Sequence, residues 1–205
     1  MTVVRLYTVT VLAILLAACA APPKKPSIVP AADRFEFSGR IGVKYDGKSF
    51  SGNMRWRHVG AHDEIRLYSP LGQTVASLRS EPGYAELLTS DKQRYAAPDA
   101  EQVLQQVLGW HLPLAGLPYW VVGEVAPQLL PLKIEFNEQQ RLGELEQGVW
   151  RVTFTRYAEP VQGGMPDRLT MKYGDIEIKL VIDAWNGVAQ EEVAPVVDLP
   201  AGELP

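Results

Sequence analysis

Two neighbouring stretches, "RFEFSGRIGVKY" (34–45) and "SFSGNMRWRH" (49–58), alternate apolar and polar side chains with a period of two. In the first, Phe35, Phe37, Ile41 and Val43 share one face, and Arg34, Glu36, Ser38, Arg40 and Lys44 the other. In the second, Phe50, Met54 and Trp56 oppose Ser51, Asn53, Arg55 and Arg57. Successive side chains of a strand point to opposite faces, so each stretch predicts a half-buried β-strand. Asp46-Gly47 lies between them and predicts a tight hairpin turn. This pairing disposes of a motif at the same place. "GVKYDGKS" (42–49) matches the phosphate-loop pattern G-x-x-x-x-G-K-[ST]. That loop works only where a helix N-terminus faces the phosphates. Here a strand precedes it and another follows, so the match is accidental.

The pattern continues. "DEIRLYS", "QTVASLRS", "GYAELLTS" and "QRYA" read as strands separated by turns rich in Gly, Pro or Asp. "RLGELEQ", "VWRVTFTRY", "DRLTMKYG" and "DIEIKLVIDAW" follow later. Between the two groups lies a helical section. "APDAEQVLQQVLGW" has Pro98 near the first helical position, Asp99 and Glu101 in the first turn, and an apolar stripe of Val103, Leu104, Val107 and Leu108 that ends at Gly109. "PLAGLPYWVVG" predicts a second short helix, and "APQLLPL" a further turn of helix or a loop. The fold class expected is mainly β with α: an incomplete antiparallel barrel, with helices placed across its open mouth as a lid over an apolar cavity.

The ends read differently from the body. Arg5 is followed by the apolar run "LYTVTVLAILLAACA", which is too short and wrongly flanked for a spanning helix and predicts a signal peptide over 1–18. Leu16-Ala17-Ala18-Cys19 resembles the lipobox of bacterial lipoproteins, and Cys19 is the only cysteine in the chain. Lipidation of Cys19 is therefore expected, with an S-diacylglycerol and an N-palmitoyl group as the covalent additions and no other cofactor. Ala20 in place of Asp resembles an outer-membrane address. Residues 19–32 predict a Pro-rich linker, 33–186 a single domain, and 187–205 an acidic, Pro-containing disordered tail. The formal net charge is −4 with no block of like charge, so nucleic acid is not an expected partner.

Markers of catalysis and of metal binding are lacking. His58 and His62 are four apart but straddle a turn and lack a third ligand, so they predict solvated turn histidines. No G-x-S-x-G elbow occurs. Scattered carboxylates leave open an envelope-anchored enzyme, and a filled barrel would make a structural lipoprotein. One turn is unusual. "YSPLGQ" places Leu71 at a tight turn between two strands, where Pro70 and Gly72 suit the turn and a large apolar side chain does not. Leu71 either folds back into the core or points outward towards a membrane or a partner.

Taken in order, these pieces resemble the LolB family of outer-membrane lipoprotein receptors. The resemblance rests on the lipobox Cys19, "FSGRIGV", "MRWRHVGAHDEIRLYSPLG", "QRYAAPDAEQVL", "LPYWVVG" and "GGMPDRLTMKYGDIEIKLVIDAW" in family order. It implies a half-barrel of about eleven strands under a helical lid. It also implies a non-enzymatic role: accepting acylated lipoproteins from the periplasmic carrier LolA and inserting them into the outer membrane, as a monomer. The family's exposed leucine maps onto Leu71, which favours the outward reading and a role in membrane insertion. Alternation nominates Met54, Trp56, Leu67, Trp150, Val152, Phe154, Ile178 and Leu180 as the acyl-chain cavity. The helical section adds Leu104, Val107, Leu108 and Trp120 as the lid.

Overall fold

The computed structural model describes residues 31–109, 112, 114–159 and 164–186; Cys19, nearly all of the linker and the tail 187–205 lie outside the described residues. Period-two alternation becomes one antiparallel sheet of eleven strands. The first six are β1 (Arg34–Tyr45), β2 (Lys48–Val59), β3 (His62–Tyr68), β4 (Thr74–Glu81), β5 (Tyr84–Thr89) and β6 (Arg94–Ala97). Helices α1 (Ala100–Leu108) and α2 (Leu117–Val121) interrupt the meander. It resumes with β7 (Pro131–Phe136), β8 (Leu142–Gln147), β9 (Trp150–Tyr157), β10 (Pro166–Tyr173) and β11 (Ile176–Asn186).

The order across the sheet is β6-β5-β4-β3-β2-β1-β11-β10-β9-β8-β7. The first and last strands pair at the centre, which joins two meanders into one surface. β6 and β7 are its two edges, so the sheet is open. Tyr45 pairs with Lys48 across Asp46 and Gly47, whose φ angles of 49° and 68° are the double left-handed turn that matches strand twist. The phosphate-loop match is therefore a hairpin, with strand on both sides.

The interior face begins with an aromatic cluster. Phe35 meets Trp56 edge-on at 5.0 Å between ring centroids, and Phe37 meets Trp185 at 5.4 Å. The outer face carries charge pairs such as Arg40–Asp183, Arg156–Asp167 and Lys172–Glu177. Hydrogen bonds from Lys172 and Lys179 hold the Glu177 carboxyl down to about 2.

Three expectations need correction. The strand β7 was not among those read from the sequence. "APQLLPL" runs from a turn directly into it, and Pro131 opens a strand in which Leu132, Ile134 and Phe136 alternate with Lys133 and Glu135. Proline is tolerated there because β7 is an edge. His58 is not a solvated turn residue. It shares the parity of Met54 and Trp56 in β2, is buried, and has Nδ1 2.7 Å from Asp63 Oδ1, with its ring stacked on Phe35. Asp99 stands before α1 as its N-cap, accepting from the Gln102 N–H, with Pro98 outside the helix. Just before β1, Ala31–Asp33 form a 3₁₀ turn that packs on α2, with Ala32 buried.

The pairing of β1 with β11 shifts register at a bulge between Ser38 and Gly39. A Cβ at Gly39 would lie 2.2 Å from the Val181 carbonyl oxygen, an atom fixed in the neighbouring strand. Gly39→Ala is expected to lower stability by about 1–3 kcal/mol through forced strand separation. Urea titration should show a lower midpoint with an unchanged slope.

Candidate functional site

The two helices treat the two halves of the interior differently. α2 has Pro118 in its first turn and lies over the β8–β11 half, with Leu117, Trp120 and Val121 buried. A single amide fixes it. Gln147, fully buried at the end of β8, accepts from Trp120 Nε1 at 2.8 Å and from the Ala126 N–H at 3.0 Å. Its own amide donates to the carbonyls of Ala126 and Leu129 at 2.9 and 2.7 Å. Trp120 is thereby driven into the sheet, over the part of the interior that Leu145, Val152 and Leu169 line, all three fully buried. The Tyr157 hydroxyl donates to the Leu142 carbonyl, and burial pushes it up to about 12. This half is solid.

The other half is hollow. α1 packs on β4, β5 and β6 through Val103, which is fully buried, and turns Leu104, Val107 and Leu108 towards a cavity of about 620 Å³. Ile41 and Val43 of β1, Met54 and Trp56 of β2, and Ile65 and Leu67 of β3 form its floor. Met171, Ile178 and Leu180 form one wall, and Leu117 and Val121 of α2 another. The polar lining residues Lys48, Ser49, Thr89 and Ser90 all lie at one set of strand ends and mark the mouth. Val107 and Leu108 are 37% and 38% exposed, so the inward face of α1 is part of the mouth's rim.

Eight of the twelve nominated cavity and lid residues meet in this hollow: Met54, Trp56, Leu67, Ile178, Leu180, Leu104, Val107 and Leu108. Trp150, Val152, Phe154 and Trp120 do not. They pack in the solid half, where α2 fills the space the alternation had left for a ligand. Ile41, Val43, Ile65, Met171, Leu117 and Val121 were not nominated. Ile41 and Val43 carried the same alternation signal as Phe35 and Phe37, but no sequence feature says where along a strand the cover stops.

Leu71 stands at the same strand ends as the mouth. The turn is closed by a bond from the Gly72 N–H to the Ser69 carbonyl at 2.9 Å and by one from the Ser69 N–H to the Gln73 carbonyl at 2.8 Å. The Gln73 N–H also donates to Ser69 Oγ at 3.2 Å. Pro70 sets the first corner, and Gly72, at φ 82°, supplies the left-handed step after Leu71. The side chain of Leu71 is 89% exposed, so it does not fold back. Among the described residues, no group of three His, Cys, Asp or Glu could hold a metal, and no helix is long and apolar enough to cross a membrane.

The family model for "Outer membrane lipoprotein LolB" matches residues 33–185. The chain belongs to the LolB family. The outer-membrane lipoprotein LolB of Chromobacterium violaceum is 38% identical over 179 residues, covering 85% of this chain and 95% of its own. That of Nitrosomonas europaea is 37% identical over 173 residues, covering 83% and 81%. Among solved structures, a putative outer membrane lipoprotein-sorting protein domain from Vibrio parahaemolyticus aligns over 80% of this chain and 89% of its own. Its TM-score of 0.49 and identity of 12% are too low to add to the assignment. Family membership gives the protein its place, the outer membrane, and its task, lipoprotein localisation.

The hollow predicts an effect that a packed interior would not show. Leu67 is only partly buried although it faces inward. Leu67→Trp adds volume where space exists, so stability should change by less than about 1.5 kcal/mol. Binding of a fluorescent fatty-acid analogue should weaken at least about fivefold, because the indole occupies the site. Unchanged binding would place the ligand elsewhere.

Proposed function

We propose that the hollow accepts the acyl chains of lipoproteins delivered by a LolA-like periplasmic carrier, that α1 is the lid over it, and that the chains leave through the mouth into the outer membrane. The observation that carries this reading is the position of an apolar cavity whose mouth opens at the strand ends where Leu71 protrudes. A triacylated cargo carries on the order of forty to fifty methylenes, at about 0.8 kcal/mol each roughly 35 kcal/mol against exposure to water. Shielded transfer therefore needs apolar surface at every stage, and the LolB-family assignment supports that task.

The chemistry asked of the chain is binding and release. An apolar lining whose charged residue, Lys48, sits at the mouth holds hydrocarbon by van der Waals contact and less firmly than a bilayer does, so each handover runs downhill without a nucleotide or a catalytic group. Cys19, acylated on sulfur and nitrogen, keeps the receiver at its destination, and one chain suffices as the working unit. Leu71 enters the lipid first and gives the acyl chains a continuous apolar path.

The test separates reception from insertion. Leu71→Glu changes a fully exposed side chain, so the thermal midpoint, fatty-acid binding and uptake of cargo from the carrier should match the parent. Delivery of that cargo into liposomes should fall about tenfold or more, since a carboxylate in the hydrocarbon layer costs several kcal/mol. Cargo would then accumulate on the receiver, scored by flotation. Normal delivery by this variant would remove the role given to Leu71, and failure to take up cargo by the folded parent would remove the proposal.

A further inference from the structure

Large apolar side chains are exposed at a second place on the mouth end. The turn joining β8 to β9 is Gln147-Gly148-Val149-Trp150, with Gln147 and Trp150 paired, so Val149 occupies its tip and is 64% exposed. Pro131 pairs with Gln147 on the other side. Leu130 is therefore the residue level with that tip, 79% exposed, and Leu132, inside β7 and one step back from the tip, is 69% exposed. Three large exposed apolar residues thus lie at one corner of the sheet, where β7 is an edge strand.

We infer that this corner is a second lipid contact, and that the protein meets the bilayer at two points, Leu71 and the Leu130–Val149 tip. The inference rests on the reading of the mouth as the end that faces the membrane. Three features favour a lipid surface over a protein partner. Residues 125–132 and 147–150 contain no Asp, Glu, Lys or Arg, and the flanking Lys133, Glu146 and Arg151 are already engaged in ion pairs, Lys133 with Glu144 and Arg151 with Glu146. Tyr173, 44% exposed, lies against Trp150 behind the tip with ring centroids 5.8 Å apart, and tyrosine is favoured at the headgroup level. The protein is an outer-membrane lipoprotein, so a bilayer is already within reach.

The depth of contact also follows. Along the sheet, the hairpins between the two tips are β1–β2, with Asp46 exposed, and β10–β11, with Asp175 exposed. Those carboxylates stay at the headgroups, so only the apolar tips dip below them. Two separated contacts also fix the tilt of the sheet, which a single leucine cannot do.

The sequence has one cysteine, so in the acylated protein an introduced cysteine is the only free thiol. Val149→Cys, Leu71→Cys and Glu138→Cys, the last exposed on the β7–β8 loop at the opposite end, would each carry an environment-sensitive fluorophore. The full acylated proteins are reconstituted in phosphatidylethanolamine–phosphatidylglycerol vesicles containing lipids spin-labelled near the headgroup. Strong quenching at 149, well above that at 138, is expected. Quenching at 149 equal to that at 138 overturns the inference, as does a response at 149 to the carrier protein alone and none to vesicles. Quenching at 149 without quenching at 71 sinks the reading of Leu71 and leaves this contact standing. In the parent, Leu130→Asp with Val149→Asp should cut delivery to liposomes about fivefold while fatty-acid binding is retained; unchanged delivery together with unchanged quenching at 71 would overturn the two-point contact.

Discussion

Gln147 divides the interior. Its fully buried side chain makes four hydrogen bonds, two accepted and two donated. Each is worth about 1 kcal/mol net when made, and about 1–3 kcal/mol is lost when a buried partner is orphaned. The segment from Trp120 to Leu129 cannot lift off the sheet without orphaning several such groups together. α2 is therefore a fixture and the β8–β11 half is filled. Among the described residues, no equivalent anchor ties α1 into the other half. It is held by Val103, by its Asp99 cap and by the bond from the Ala115 N–H to Glu101 Oε1, and its remaining apolar side chains face open space. One half of the sheet thus supplies rigidity and the other supplies capacity.

That division bears on how hydrocarbon could be held and released. A filled barrel would exclude acyl chains, and an empty one with both halves uncovered would collapse or expose too much apolar surface to remain in solution. Confining the hollow to one half, with its polar lining residues gathered at the mouth, limits the apolar lining left uncovered. The edges are handled separately. β6 is four residues long, and β7 carries Pro131, Lys133, Glu135 and two register irregularities, all features that discourage edge-to-edge pairing. An open sheet with apolar contents can then exist without recruiting further strands.

Much of this was legible because the side-chain period of a strand is a strong local signal. Phe35, Phe37, Met54, Trp56, Ile178 and Leu180 were placed on the inner face by parity alone, and the structure puts them there. The same parity would have placed His58 inside. The turn between His58 and His62 hides that register, and the Asp63 carboxylate that satisfies His58 comes from the next strand. β7 was missed because Pro131 and the preceding apolar run looked like a continuation of the helical section. Trp150, Val152 and Phe154 show the deeper limit. Their pattern is that of any inward strand, and whether an inward residue meets a ligand or a helix depends on a Gln147–Trp120 bond spanning 27 residues. No local pattern contains that distance.

The exposed apolar residues make sense only when set against the charges. Across the outer face, Arg40–Asp183, Arg55–Glu36, Arg156–Asp167 and Lys172–Glu177 lie largely in water, where each pair adds little to stability. Their effect is directional. Laying that face on a bilayer would strip water from every pair, a penalty that their mutual attraction does not recover in a low-dielectric layer. At the mouth end, Leu71 and Val149 can enter hydrocarbon while Asp46 and Asp175 remain hydrated between them. The charge pattern therefore disfavours laying the outer face on lipid, and under the proposed function the apolar tips at Leu71 and Val149 would turn the opening of the hollow towards the membrane.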